Sequence, residues 1–529
     1  MATIQKVSGI DFANISKFDG VDISAVGSIN FIGKPATGNL LLDTSYGSGA
    51  EAAYSVRKLR TAYTGAAIQV QRTLGSFPTQ EIGFDVNGNL DTSTLLAYAS
   101  GTEVGVSIWY DQSLNGNNAV QTTVAQRPIV VAAGGALVEI DGRAAMNLDG
   151  STDGFNITSN IQGAYSIFTI GNPGGNDRYY QDSTFGSRQY IIRNSSVAGS
   201  FSKYQNGTAT SYLYGFTKEL VEFISNAPTI TYTNTLLMRF TNSSAYLGDF
   251  SEYIIYTSAK SGTNQTSIQE NIGDYYTQNT PLLDTYSGAA AAYSLRKLRT
   301  DYTGFAIKVQ DNVGGATQDI GFDVFGELDT VSLSRYAGSH DVFVETWYDQ
   351  SGSGNDATQI SSGLRPQIVS SGAVIVLGNK PAIKGVSSSS VLSIATTINF
   401  SDFGLMHVYE EKANNLMTWG LDTSKYYYHT GGSHRINNMI DFTSGLTNGD
   451  YVLDFANRNS GAVEVHFNGA SIATATNTGG YSFKHLFNAH NLTFGYTAPM
   501  QEFILWTSDQ SDNRTDIESN IATFYDITI

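Results

Sequence analysis

The feature that most restricts this chain is that it repeats itself. Tyr54-Ser55-Val56-Arg57-Lys58-Leu59-Arg60-Thr61-Ala62-Tyr63-Thr64-Gly65 returns as Tyr293-Ser294-Leu295-Arg296-Lys297-Leu298-Arg299-Thr300-Asp301-Tyr302-Thr303-Gly304, with ten of the twelve positions identical. Ile82-Gly83-Phe84-Asp85 returns as Ile320-Gly321-Phe322-Asp323, and Arg127-Pro128 as Arg365-Pro366. Trp109-Tyr110-Asp111-Gln112-Ser113 returns as Trp347-Tyr348-Asp349-Gln350-Ser351. The offset is 238 or 239 throughout, so whole modules repeat rather than isolated motifs. At 529 residues the chain is also too long for one core.

The module ends match too. Glu252-Tyr253-Ile254-Ile255-Tyr256-Thr257-Ser258 parallels Glu502-Phe503-Ile504-Leu505-Trp506-Thr507-Ser508. After each comes an i,i+4 apolar pair, Ile268 and Ile272 or Ile517 and Ile521, which predicts a short helix docked on a sheet. The middles, about 150–240 and 390–490, have diverged. Val463, Val465 and Phe467 alternate with Glu464 and His466 and run into Asn468-Gly469, a half-buried strand ending in a hairpin turn. Asn87-Gly88, Asn206-Gly207 and Asn448-Gly449 mark further turns. The pattern predicts an all-β chain of two tandem β-sandwiches, residues 41–277 and 282–529, each with short helices. Residues 1–40 belong to neither copy.

Only 15% of residues are charged, and 31 Tyr and 27 Phe favour strands over helical bundles. A net charge of −17 repels phosphate backbones, which argues against nucleic acid as a partner. With no cysteine, disulfides, thiol catalysis and zinc–thiolate sites are excluded. No 18-residue apolar run predicts membrane insertion, and Met1-Ala2-Thr3-Ile4-Gln5-Lys6 does not lead into a signal peptide. Release inside an assembled particle is one route that needs no such signal.

The run from Trp109 through Asn117 and Gln121, and more closely Tyr348-Asp349-Gln350-Ser351-Gly352-Ser353-Gly354-Asn355, resembles the catalytic domain of the fungal α-L-arabinofuranosidase B family. Tyr293-Ser294-Leu295-Arg296 and Gln318-Asp319-Ile320-Gly321 are similar to that family as well. The resemblance implies a concanavalin-like jelly roll, and the closing Glu502–Trp506 stretch is similar to the end of laminin-G-like modules. It also implies an acid in a Gly-Asp stretch before the closing strand. Gly248-Asp249 stands there in copy one, against Gly495-Tyr496 in copy two. The other carboxylate that a retaining glycosidase needs falls in the diverged middle and has no assignable position. The family's paired cysteines are missing, so hydrolysis is not expected. The Gly-Ile and Gly-Val units of residues 1–40 are similar to N-terminal segments of phage fibre and decoration proteins.

Trp109, Asp111, Trp347 and Asp349 are candidates for a sugar site in which an aromatic platform lies beside a carboxylate. The alternative role is a turn-capping Asp beside a core Trp. Arg57, Arg60, Arg296 and Arg299 fall on a helix-like stretch, suited to pairing with nearby aspartates or to internal salt bridges. All seven histidines lie in the second module, none at the spacing of a helical zinc pair, so no metal site is assigned. Tyr427, His429 and His434, beside Gly431-Gly432, form the best candidate for a ligand-facing loop. Polar clusters such as Asn176-Asp177 and Asp509, Asp512 and Asn513 offer Ca²⁺ as the one suggested cofactor. Ile10, Phe12, Ile15, Phe18, Val21 and Ile23 are too few to fold alone and are read as anchors to a partner. The resulting expectation is a homo-oligomeric virion protein of head-fibre, tail-fibre or capsid-decoration type. Residues 1–40 would bind other virion proteins, and the sandwiches would bind cell-surface glycans. A secreted glycoside hydrolase and a bacterial adhesin are the alternatives.

Overall fold

The computed structural model describes residues 40–157, 159, 161–163, 166–174, 179–183, 189–192, 201–210, 213, 218–225, 230–232, 235–240, 244–277, 280–412, 416–422, 424–430, 433–489 and 494–529. It also describes four two-residue strands before residue 40, paired as Lys6–Val7 with Ile10–Asp11 and Lys17–Phe18 with Val21–Asp22. The side chains of Ile10, Phe12, Ile15, Phe18, Val21 and Ile23 lie outside the described residues, as do Asn176-Asp177 and His490.

The architecture is all-β, with antiparallel ladders throughout the named strands and a few short helices. Each copy is organised around its closing strand, Leu247–Tyr256 in one and Pro499–Trp506 in the other. The first pairs with Ser166–Pro173 on one edge and with Ala50–Ser55 and Met146–Asp149 on the other. The second pairs with Phe403–Glu410 on one edge and with Ala289–Ser294 and Ile383–Lys384 on the other. Even the irregularities match, with a bulge between Ile170 and Gly171 and another between Val408 and Tyr409.

The closing strands read as continuous apolar runs because both faces are buried. Phe250, Tyr253 and Ile255 enter the core between the sheets. Ile254 and Tyr256 enter a second layer under the helix Thr263–Tyr276, where Ile268 and Ile272 meet them. In copy two, Phe503 and Leu505 face inward, while Ile504 and Trp506 meet Ile517 and Ile521 of the helix Arg514–Tyr525. Burying each such side chain contributes about 1.5–3 kcal/mol. The strand Ala462–Phe467 and its turn at Asn468-Gly469, both at positive φ, form as the alternation predicts.

The copies also touch. Phe325, on the turn after Phe322, is buried in the helix-side layer of copy one. Asn206 Nδ2 donates to Asp323 Oδ2 at 3.1 Å, and Thr208 Oγ1 donates to Asp329 Oδ2 at 2.9 Å. The matching turn of copy one leaves Val86 fully in solvent.

Candidate functional site

The repeated Trp-Tyr-Asp-Gln-Ser block is a fastening between chain segments. Asp111 Oδ1 accepts from the backbone N–H groups of Ala53 and Ser113, and Oδ2 from Ser113 Oγ and the N–H of Asn117, at 2.7–2.9 Å. Asp349 repeats this with Ala292, Ser351 and Asn355 at 2.8–2.9 Å. Gln112 accepts from Leu59 N–H and donates to the carbonyls of Ser55 and Arg57; Gln350 does the same with Leu298, Ser294 and Arg296. Trp109 and Trp347 are fully buried, packed against Tyr54 and Tyr293 at centroid distances of 5.5 and 5.9 Å. Neither ring faces solvent, and each Asp is used up on three backbone N–H donors and a serine hydroxyl. The structure brings each Trp and Asp together, in the turn-capping and core roles.

The arginine stretch is not helical, contrary to the expectation, and follows a strand as bends and turns. Arg299 pairs with Asp301 of the following turn at 2.7 Å, whereas Arg57 and Arg296 reach glutamates of the closing strands. Arg57 forms a two-point ion pair with Glu252 at 2.8 and 3.0 Å, and Arg296 forms one with Glu502 at the same distances. Both pairs are buried, and the hydroxyls of Ser55 and Ser294 donate to the same carboxylates. Arg60 and Arg299 donate to the carbonyls of Ser113 and Ser351.

Asp249 sits opposite Asn147, whose amide donates to it at 2.8 Å, and burial raises its carboxyl above the usual range. Ladder registers show that its counterpart is Pro499, opposite Lys384, rather than Tyr496. The correspondence drawn from Gly495-Tyr496 is therefore corrected by a few residues, and copy two has no acid there. Asp509 accepts from Ser511 and Asn457, as a polar turn would.

The Tyr- and His-rich segment is not the exposed loop expected from Gly431-Gly432. Lys425–Thr430 and Ser433–Ile436 are paired strands, with His429 opposite His434. Tyr427, His429 and His434 are at most 1% exposed, with the two imidazole centroids 4.7 Å apart. Glu411, just past the strand Phe403–Glu410, meets them. Its Oε2 lies 3.0 Å from His429 Nδ1, and its Oε1 lies 3.8 Å from His434 Nε2. One ligand atom from each of the three residues falls within 4.8 Å of the others, the one such group of three among the described residues. His407 and Asp454 pack nearby as ladder partners, 4.0 Å apart at Nδ1 and Oδ2.

Burial dominates the electrostatics here. It lowers His407, His429 and His434 to about 3, so all three imidazoles are neutral at physiological pH. It raises Glu411 and Asp454 to about 7. Such a group can hold a cation through neutral nitrogens and one carboxylate, or share protons internally. Sequence spacing missed Glu411, His407 and Asp454 because the convergence runs across strands. The usable signal was His429 and His434 flanking a Gly-Gly, the arrangement of cross-strand partners in a hairpin.

No family model matches the chain, and no curated protein matches it. Among solved structures, an arabinofuranosidase complexed with arabinofuranosyl-α-1,2-xylobiose aligns at 15% identity and a TM-score of 0.37, over 44% of this chain and 62% of its own. The chain thus spans about three fifths of that protein's length. A Trypanosoma rangeli sialidase in complex with the inhibitor DANA aligns at 8% identity and a TM-score of 0.23, over 80% of this chain and 68% of its own.

Proposed function

We propose that this chain is a non-hydrolytic structural component of a phage particle, attached through residues 1–40 and displaying two lectin-like sandwiches that hold glycans. One observation carries the non-hydrolytic part: the residues that resemble the arabinofuranosidase family are consumed by the fold in the same way in both copies. Asp111 and Asp349 have their oxygens filled by backbone donors, and both tryptophans are in the core. For glycans, a cleft of about 580 Å³ beside the second fastening is lined by Asp284, Ser287, Arg299, Thr300 and Ser351, among others. Carboxylate, guanidinium and hydroxyl groups in one shallow cleft suit sugar hydroxyls. Weak single-site affinity would be multiplied by many copies on one particle.

The test has two arms. Deleting residues 1–38 is expected to abolish incorporation into particles while leaving both sandwiches folded. Immobilised full-length chain is expected to retain glycans from an array, and Arg299→Ala to weaken that retention. Incorporation of the truncated chain, or a blank array, overturns the corresponding half. A chain found on bacterial surfaces instead of particles would favour the adhesin. The raised carboxyl of Asp249 is the observation that favours the hydrolase reading, since a general acid must hold its proton.

A further inference from the structure

We propose that Glu411, His429 and His434 bind one divalent transition-metal ion of the zinc class, tying the strand pair Lys425–Thr430 and Ser433–Ile436 to the end of the strand Phe403–Glu410. Two imidazoles and a carboxylate make a three-ligand set of the kind zinc accepts, with a fourth position left for water or Ser444 Oγ, which lies 2.8 Å from His434 Nε2. Metal–nitrogen and metal–oxygen distances of about 2.0–2.2 Å place tetrahedral ligand atoms roughly 3.3–3.5 Å apart. The observed 3.0 and 3.8 Å bracket that value, and one ligand atom from each residue lies within 4.8 Å of the others, so shifts of about an ångström complete the site.

A second, independent observation points the same way. Glu411 Oε1, which faces His434 Nε2 across 3.8 Å, is buried without a hydrogen-bond partner in the protein. Leaving a buried carboxylate oxygen unpaired costs about 1–3 kcal/mol, which an ion between it and the imidazoles would recover. Ca²⁺ and Mg²⁺ fit less well because they select all-oxygen shells. Copy one offers no equivalent, because the ladder places Pro173 where copy two has Glu411. The stoichiometry is therefore one ion per chain.

The full chain, stripped with a chelator and checked for fold by circular dichroism, is titrated with zinc sulfate by calorimetry and with cobalt(II) by absorption. The expected result is one equivalent of zinc per chain, a higher thermal midpoint, and the intense visible bands of tetrahedral cobalt. Glu411→Gln and His434→Gln are each expected to weaken zinc binding by more than the roughly 10–100-fold that outer partners cost, and Asp454→Asn by no more than that. A folded chain that takes up no stoichiometric zinc, or equal uptake by wild type, Glu411→Gln and His434→Gln, overturns the proposal. Should those variants fail to fold, the wild-type cobalt spectrum decides. Weak octahedral bands contradict the site, and tetrahedral bands support it.

Discussion

The two copies share their fastenings and differ in what they enclose. Around the closing strands, the buried pairs Arg57–Glu252 and Arg296–Glu502 superimpose distance for distance. Inside, the ladders place Thr169 and Val221 of copy one where copy two has His407 and Asp454. Copy one keeps its unusual acid on the other face, where Glu222 lies under the helix and accepts from the amides of Gln265 and Gln269. The fastening fixes how segments distant in sequence close on one another, and few side chains can do that. The space between sheets needs only volume, so it is where chemistry can enter one copy and not the other.

The largest expected effect tests whether the fastenings are equivalent. Glu252→Ala and Glu502→Ala each strand a buried guanidinium and are expected to cost about 3–5 kcal/mol in denaturant unfolding. A loss below about 1 kcal/mol in either copy would break the equivalence.

Next comes the acid of copy one. Burial raises Glu222 from 4.5 to about 8. Below about pH 4.5 both folded and unfolded chains hold the proton, so the residue carries no penalty. Between about 4.5 and about 8 only the folded chain keeps it, so stability falls as pH rises, and above that the penalty is constant. Glu222→Gln is therefore expected to stabilise the protein by on the order of 3 kcal/mol at pH 9 and by little at pH 4. A stability difference independent of pH would show that Glu222 does not titrate this way.

Giving copy two the interior of copy one, His407→Thr with Asp454→Val, should leave the chelator-treated chain as stable as before or more stable by up to about 1–4 kcal/mol. Marked loss of stability would mean that the polar interior supports the fold. A last comparison separates the matching turns. Val86→Ser, in solvent, is expected to change stability by less than about 0.5 kcal/mol, whereas Phe325→Asn, which installs the copy-one residue at a buried position, is expected to cost about 2–4 kcal/mol. Equal effects would mean that the contact between copies is not formed in solution.

Much of the fold was legible because it is local or repeated. The Ile268/Ile272 and Ile517/Ile521 pairs became docked helices, and Asn468-Gly469 became the predicted turn. The arginine stretch misled because its residue types suit a helix, while tertiary hydrogen bonds from Gln112 and Gln350 to its backbone hold it in bends and turns. The histidine strands misled because Gly-Gly reads as a loop, and periodicity along the chain carries no record of which strand lies across. Glu411 stands 18 residues from His429 and meets it only through sheet order. The copy-to-copy match of Asp249 needed ladder register, since length changes in the diverged middle shift the offset from 238 to 250.

The central claim is that the residues that resemble the arabinofuranosidase family serve as scaffold. Hydrolysis of 4-nitrophenyl α-L-arabinofuranoside by the full chain tests it most directly, read as released nitrophenol across pH 4–8. The account predicts a rate indistinguishable from buffer, because Asp111 and Asp349 are bound to backbone donors and Asp249 has Pro499, not an acid, as its counterpart in copy two. Turnover that disappears on Asp249→Asn, with the fold intact, would contradict it.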